Sequence, residues 1–385
     1  MKFAFVSQAY PPDSAVGGIG PQTQLKAQGM VARGHDVWVV AAGTTADRTE
    51  QRDGGVHVLR LPSPLWTRPS LTEPERVLAW SASVTEALRD LHARERLDLV
   101  DFAEYGGEGY HFALERVDPW IPMSVQVHGP IAMQGEATEL EMEGTALRRA
   151  NFVYASSARS ADLVAHAHGL RRDAIEILHA GVNTERFRPG LAAKHARPTV
   201  LFVGELTGST GVFVLLEAVL RAAESIPALR LRMLGRGESR IVDELNRRAA
   251  GHPGVLDLPG HVGHNRLPGE LCRGHVLVVP APHESAPGGA TLEAMACGLP
   301  VIACAGSGAA EAIEPGANGL LVPPNDPAAL AQALVALADP GRRDAMAAHA
   351  VDHARRDASC VPRLDLLEER LLAAAGAGLA AGVGR

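Results

Sequence analysis

From Val276 to Ala305 the chain reads VLVVPAPHESAPGGATLEAMACGLPVIACA, and this stretch limits the fold more than any other. Val276 to Pro280 is a short apolar run, read as a buried strand. The turn that follows holds His283, Glu284, Ser285, Ala286, Pro287, Gly288 and Gly289. Ala290 to Cys297 reads as a helix, stopped by Gly298 and Pro300, and Val301 opens the next strand. Strand, glycine-rich turn, helix, strand is the unit of a parallel α/β sheet. Such a turn gathers free backbone N–H groups and the positive end of a helix dipole, which suits a phosphate. Two carboxylates flank it: Glu284 before the helix and Glu293 about one turn inside.

The same unit opens the chain. Phe3 to Ser7 reads as a strand, Pro11 to Gly20 (PPDSAVGGIG) as a glycine-rich loop, Gln22 to Arg33 as a helix and Asp36 to Ala41 as a strand. G-x-G-x-x-G is absent, so this is not the dinucleotide fingerprint. Strands are predicted at Val56–Leu61, Leu97–Phe102, Met123–His128, Phe152–Ser156 and Ile175–Ile177. Helices are predicted at Ser70–Arg94 and Glu136–Arg149, the second with four acids on a solvated face. Glu104, Tyr105, Gly106 and Gly107 fall at a strand's carboxyl end, where open sheets bind ligands. An acceptor contact by Glu104 or Tyr105 and a plain turn both fit there. His128 ends a strand, a place that structural histidines also take. His166 and His168 are expected to decorate a helix end.

Gly190 to Pro198 reads as a linker. Beyond it, Thr199–Gly204, Arg230–Leu234 and Val255–Leu258 are predicted strands. Phe213–Ser225, Ile241–Ala250, Pro327–Asp339, Arg342–Arg356 and about Val361–Ala375 are predicted helices. The Ala- and Gly-rich tail from Leu371 to Gly384 is expected to fray after a helix.

A length of 385 residues is enough for two domains. A net charge of −7 argues against a nucleic-acid surface. Only three lysines stand among 37 basic residues, which suggests a GC-rich bacterial genome. Four scattered cysteines without C-x-x-C read as reduced, buried thiols in a cytoplasmic protein. The histidines lack ligand spacing, so no metal site is expected. MKFAFVSQAY does not read as a signal peptide, and no run of 18 apolar residues is long enough to span a membrane.

Glu293 followed by AMACGLPVIA resembles the nucleotide-sugar motif of the GT-B glycosyltransferases, specifically glycosyltransferase family 4. The motif holds two glutamates with seven residues between them. Counting back from Glu293 lands on Ser285, with Glu284 one residue further. Either the turn carries one extra residue, absorbed at Pro287 and Gly288-Gly289, or Ser285 has taken the place. The His128-Gly129 pair, Gly17-Gly18, GVNTERFRP (Gly181–Pro189) and GRGE (Gly235–Glu238) are similar to further family motifs.

The resemblance implies an α/β protein of GT-B fold, two Rossmann-like parallel-sheet domains facing a central cleft. Residues 1–190 would bind the acceptor and 198–356 the nucleotide sugar, with the helix at about 361–375 packing back on the first domain. It also implies a metal-independent, retaining glycosyl transfer from a UDP- or GDP-sugar to a small-molecule or glycan acceptor, by a monomer or homodimer. Glu293 would hold the ribose hydroxyls and Gly288 and Gly289 the phosphates. Glu284 or Ser285 would contact sugar hydroxyls. His128 would lie by the transferring carbon, and Gly17 and Gly18 against the donor phosphate and the acceptor.

One departure stands out. The family's second domain opens Val-Gly-Arg-Leu-x-x-x-Lys-Gly, and its Arg and Lys hold the diphosphate. Here Glu205 and Thr210 replace them. A carboxylate about 4 Å from a diphosphate costs a few kcal/mol at an effective dielectric of about 20. Three accounts remain open. Arg236, Arg240 or Arg266 substitutes. Backbone amides carry the phosphates, with one hydrogen bond from Thr210. Or transfer is weakened, and the chain is a sugar-nucleotide-binding partner or takes an unusual donor. An epimerase on the same fold would need an acid/base pair, for which only Glu284 and His128 are available. The rewritten phosphate loop hints at specialised metabolism such as an antibiotic sugar.

Overall fold

The apolar runs of the sequence become the parallel strands of two sheets. The computed structural model describes residues 1–11, 18–68, 70–115, 121–129, 137–282 and 289–382. By internal contacts the chain divides into one unit of Met1–His179 with Val361–Arg385 and a second of Ala180–Cys360.

The first unit contains β1 (Lys2–Val6), α1 (Ile19–Ala32), β2 (Asp36–Gly43), β3 (Thr49–Asp53), β4 (Val56–Pro62), α2 (Pro64–Thr67), α3 (Glu73–Glu95), β5 (Leu99–Ala103), α4 (Tyr110–Glu115), β6 (Met123–Val127), α5 (Ala137–Arg149), β7 (Phe152–Ala155), α6 (Ala158–His168) and β8 (Glu176–Ile177). The strand order is β3-β4-β2-β1-β5-β6-β7-β8. β1, β5 and β6 are buried along nearly their whole length, as befits parallel strands with helices on both faces. β3 was not foreseen. Its sequence, TEQRD, is polar and almost fully exposed. It pairs antiparallel with β4 through Gly54 and Gly55, whose φ of 56° and 91° suit a tight hairpin.

The second unit contains β9 (Thr199–Val203), α7 (Val212–Ala223), β10 (Arg230–Leu234), α8 (Ser239–Ala249), β11 (Leu256–Gly260), α9 (Leu267–Arg273), β12 (Val276–Val279), α10 (Gly289–Ala296), β13 (Val301–Cys304), β14 (Gly319–Val322), α11 (Pro327–Ala336) and α12 (Pro340–Arg356). Its strands run β11-β10-β9-β12-β13-β14, all parallel. The strand order reverses between β1 and β5 in the first sheet and between β9 and β12 in the second. In open α/β sheets ligands bind beyond the carboxyl ends of the strands at such a reversal.

Three expectations need correction. The acids of α5 do not form a solvated face: Glu141 is exposed, but Glu139 and Glu143 are buried, at 3% and 0% exposure. Their place in the fold is decided by hydrogen bonds that periodicity cannot see. The last helix does not stop at about Ala375, because α13 (Cys360–Gly382) continues into the tail. Alanine favours helix, and Leu371, Ala374 and Ala375 are buried. His168 does not merely decorate the end of α6, because its side chain is 2% exposed and lies 3.4 Å from the Glu143 carboxylate. His166 is exposed there.

The division between the units falls at His179, and Val182 and Phe187 pack into a core cluster of the second unit. Asn183 caps that passage, its Oδ1 accepting from the Glu185 and Arg186 N–H groups at 3.1 and 3.0 Å. α13 belongs with the first unit. Gly29 of α1 admits Leu364 so closely that a Cβ there would lie 2.6 Å from Leu364 Cδ1. His35 Nε2 meets Glu368 at 2.6 Å, and Arg33 pairs with Asp365.

Candidate functional site

In the second unit, two loops and the end of β12 meet where the strand order reverses. The loop after β9 touches the one after β10: Leu206 N–H donates to Arg236 O at 2.6 Å, and a Cβ on Gly235 would overlap the Gly204 carbonyl oxygen. The β9 loop also touches the end of β12. Gly211, the N-cap of α7 at φ 76°, leaves no room for a side chain, since a Cβ would lie 2.7 Å from Pro280 O. α10 starts at Gly289 on this same edge.

Glu293 sits four residues into α10, so its side chain leans back over the first turn. A Cβ at Gly289 would be 3.7 Å from Glu293 Oε1, an ordinary contact. The carboxylate is held there by His264, whose Nε2–H donates to Oε1 at 2.7 Å. Phe187 packs against that imidazole, ring centroids 5.4 Å apart. His264 is the residue that reading the sequence missed. It lies in PGHVGHNRL, where nothing local signals a partner 29 positions away.

The altered phosphate loop can now be read atom by atom. Thr210 does not offer its hydroxyl proton outward: Oγ1 lies 2.8 Å from Glu205 O and 2.9 Å from Thr207 O, and it accepts from Thr207 N–H at 3.2 Å. A hydroxyl has one proton, and here the Glu205 and Thr207 carbonyls are the oxygens placed to take it. Glu205 is exposed, as is Arg236 on the adjoining loop, and neither has an ion pair among the described residues. Arg240 is engaged by Glu238 at 2.6 Å. Arg266 is the exposed N-cap residue of α9. Arg236 is thus the cation whose backbone is laced to the loop that lost its own. The expected roles of Gly17, Glu284, Ser285 and Gly288 fall outside the described residues. Gly18 is the N-cap of α1, with open space where a Cβ would stand.

In the first unit, His128 follows β6 and is partly buried. Burial, then the charge of Lys26, pushes its imidazole down to about 3, so it is neutral at physiological pH. Lys26 is buried among Asp101 Oδ2 (2.6 Å), Gln126 Oε1 (2.6 Å) and the Tyr154 hydroxyl (3.0 Å). Ser124 Oγ donates to Asp101 Oδ1 at 2.7 Å. The charge in this network is thereby paired and hydrogen-bonded, as a buried charge must be. Glu104 is fully buried. Its oxygens accept from the N–H groups of His128 at 2.7 Å and Gly129 at 3.0 Å. That geometry corrects the acceptor-contact reading of Glu104, because its carboxylate faces inward onto backbone. Tyr105 beside it is 44% exposed.

Comparison with known proteins bears on the family and the fold. A family model described as Glycosyl transferases group 1 matches residues 197–339, and one described as Glycosyltransferase Family 4 matches residues 16–186. The chain belongs to the glycosyltransferases. It is 29% identical over 361 residues to a 2-deoxystreptamine N-acetyl-D-glucosaminyltransferase of Streptomyces fradiae, covering 84% of this chain and 83% of the relative. It is 33% identical over 227 residues to a D-inositol 3-phosphate glycosyltransferase of Streptomyces bingchenggensis, and there the match spans 54% of this chain and half the length of the relative. The sucrose-phosphate synthase of Thermosynechococcus elongatus superposes with a TM-score of 0.82 at 22% identity, over 97% of this chain and all of that one.

The fold of this glycosyltransferase is therefore GT-B, two parallel-sheet α/β units. The group 1 match spans Glu205, Thr210, Arg236, His264, Gly289 and Glu293, while the family 4 match spans His128. No helix among the described residues is long and apolar enough to cross a membrane.

Proposed function

We propose that this glycosyltransferase moves a sugar from a nucleotide-sugar donor to a hydroxyl of a small polyhydroxylated acceptor, with retention at the transferring carbon and without a metal. The observation that carries the reading is Glu293, set by His264 over the start of α10 at the strand reversal of the second sheet. A fixed, partly buried carboxylate beside a helix start suits a ribose diol next to a diphosphate. The diol donates two hydrogen bonds to the carboxylate, and the helix start receives the charge.

In this reading Gly289 and its neighbour Gly288 meet the phosphates, and Glu284 or Ser285 meets the sugar hydroxyls. Arg236 takes over the cationic role that Glu205 and Thr210 have given up, which keeps charge stabilisation of the leaving diphosphate on the protein. His128 is assigned to the transferring sugar. As a neutral imidazole it offers one N–H to a developing oxocarbenium sugar without repelling it, which an imidazolium would do. With no nucleophile assigned, retention requires the acceptor to attack on the face the diphosphate leaves.

The relatives named for 2-deoxystreptamine and for D-inositol 3-phosphate support a ring-shaped polyol acceptor, and the first of them supports specialised metabolism. The exposed Glu205 favours an acceptor or donor that carries an amino group. Four buried thiols support a reducing, cytoplasmic setting.

The test is turnover and thermal shift with UDP-, GDP- and dTDP-sugars, using 2-deoxystreptamine and inositol phosphate as acceptors. One sugar nucleotide is expected to raise the melting temperature, and to release its nucleoside diphosphate, as the sugar passes to the acceptor, only when acceptor is present. His128→Ala is expected to lower kcat about 100-fold or more. If no sugar nucleotide binds, the donor assignment is wrong. If His128→Ala keeps full turnover, the role of His128 is wrong.

A further inference from the structure

Three buried acids in the first unit share one habit, which the proposed chemistry leaves unused. Each turns its carboxylate onto the backbone of a loop. Glu104 takes the N–H groups of His128 and Gly129. Glu108 takes the N–H of Gln8, just past β1, at 2.8 Å. Glu143, from α5, takes the N–H of Gly106 at 3.1 Å. All three are 5% exposed or less.

Glu104 and Glu108 bracket a tight run. Gly106 and Gly107 have φ of 73° and 62°, a region that costs glycine nothing and other residues strain. A Cβ on Gly107 would stand 2.5 Å from Met142 Cβ, so the run is pressed against α5. It lies where the first sheet reverses its strand order, with β1 on one side of β5 and β6 on the other.

We propose that Glu104–Glu108 is a clasp and that Glu104 is a positioning residue for His128. Glu104 fixes the turn after β6 that carries the imidazole. Glu108 fixes the start of the loop after β1, and Glu143 fixes the clasp itself. The inference rests on the assignment of His128 to the transferring sugar.

The physical argument is one of cost. β6 ends at Val127, so the His128 and Gly129 amides lie beyond the strand and water would satisfy them. Burying a carboxylate to do the same work is expensive, and more so with a second carboxylate, Glu143, close enough to oppose its ionisation. What the carboxylate supplies and water does not is direction. Two hydrogen bonds to one rigid group fix two successive peptide planes, and so fix where the His128 side chain leaves the backbone. A shift of about 1 Å in a reacting group costs on the order of 100-fold in rate.

The experiment is a double-variant cycle in the full chain, with kcat and donor KM measured for wild type, Glu104→Gln, His128→Ala and the pair. Glu104→Gln keeps the shape but offers one acceptor oxygen instead of two. It is expected to lower kcat about 10- to 100-fold with donor KM changed less than about twofold. Added to His128→Ala, it is expected to cost less than about twofold more, because the group it positions is gone. If the two losses multiply, or if Glu104→Gln costs nothing, the clasp is overturned while the role of His128 stands. If His128→Ala turns over at the wild-type rate, that role fails first and the clasp with it. Should Glu104→Gln not fold, amide hydrogen exchange on the wild-type protein decides. Protection at His128 and Gly129 matching that of β6 supports the clasp, and exchange as fast as an exposed loop overturns it.

Discussion

Glu108 shows how much one side chain can carry. Its carboxyl is pushed up to about 7 by burial, with the Gln8 N–H and the Trp80 indole pulling the other way. The folded unit thus holds that proton more tightly than the unfolded chain, whose value is 4.5. The stabilising contribution is whole below about pH 4.5 and is lost as pH rises through about 7, a change on the order of 3 kcal/mol. Glu108→Gln removes the titration. Between pH 5 and 7.5 the variant's melting temperature should therefore fall less than that of the wild type, which calorimetry at a series of pH values checks. Individual side chains were legible in the sequence only where their chemistry is local. Glu293 was found because AMACGLPV follows it and names its helix. His264 was not, and Glu104 was left between a ligand contact and a plain turn, because their partners lie 29 and 24 positions away and only the fold brings them together.

At the scale of elements, period and punctuation predicted most of the structure. Apolar runs bounded by glycine and proline became strands, and most helix boundaries fell within two or three residues of expectation. β3 escaped because a polar edge strand has no apolar face to announce it. The buried acids of α5 escaped because periodicity sorts residues by hydropathy and cannot price a hydrogen bond. What fixes the site is closer packing than any pattern reveals, seen where the loops after β9 and β10 meet at Gly204 and Gly235. Gly235→Ala forces those loops apart. It should destabilise the second unit by about 2 kcal/mol, lowering its melting temperature by roughly 4–8 °C and weakening nucleotide binding together with stability. An unchanged melting curve and affinity would show that the loops yield freely.

At the scale of the whole molecule, the chain places two doubly wound sheets in succession and returns its last helix to the first unit. The family resemblance made that plan legible. Composition alone bounded only its size and its ability to bury a core. The boundary at His179 was less legible, because GVNTERFRP looks like the end of one domain and packs as the start of the next. The central claim is that the second unit seats a nucleoside diphosphate, with Glu293 on the ribose diol. Titration calorimetry tests it most directly, comparing whichever of UDP or GDP binds with its 2′,3′-dideoxy analogue on wild type and on Glu293→Ala. The account predicts that the wild type prefers the natural nucleotide by about 10- to 100-fold, as charge-assisted hydrogen bonds imply, and that Glu293→Ala erases the preference. Equal affinity of the wild type for both nucleotides, or an undiminished preference in Glu293→Ala, would contradict it.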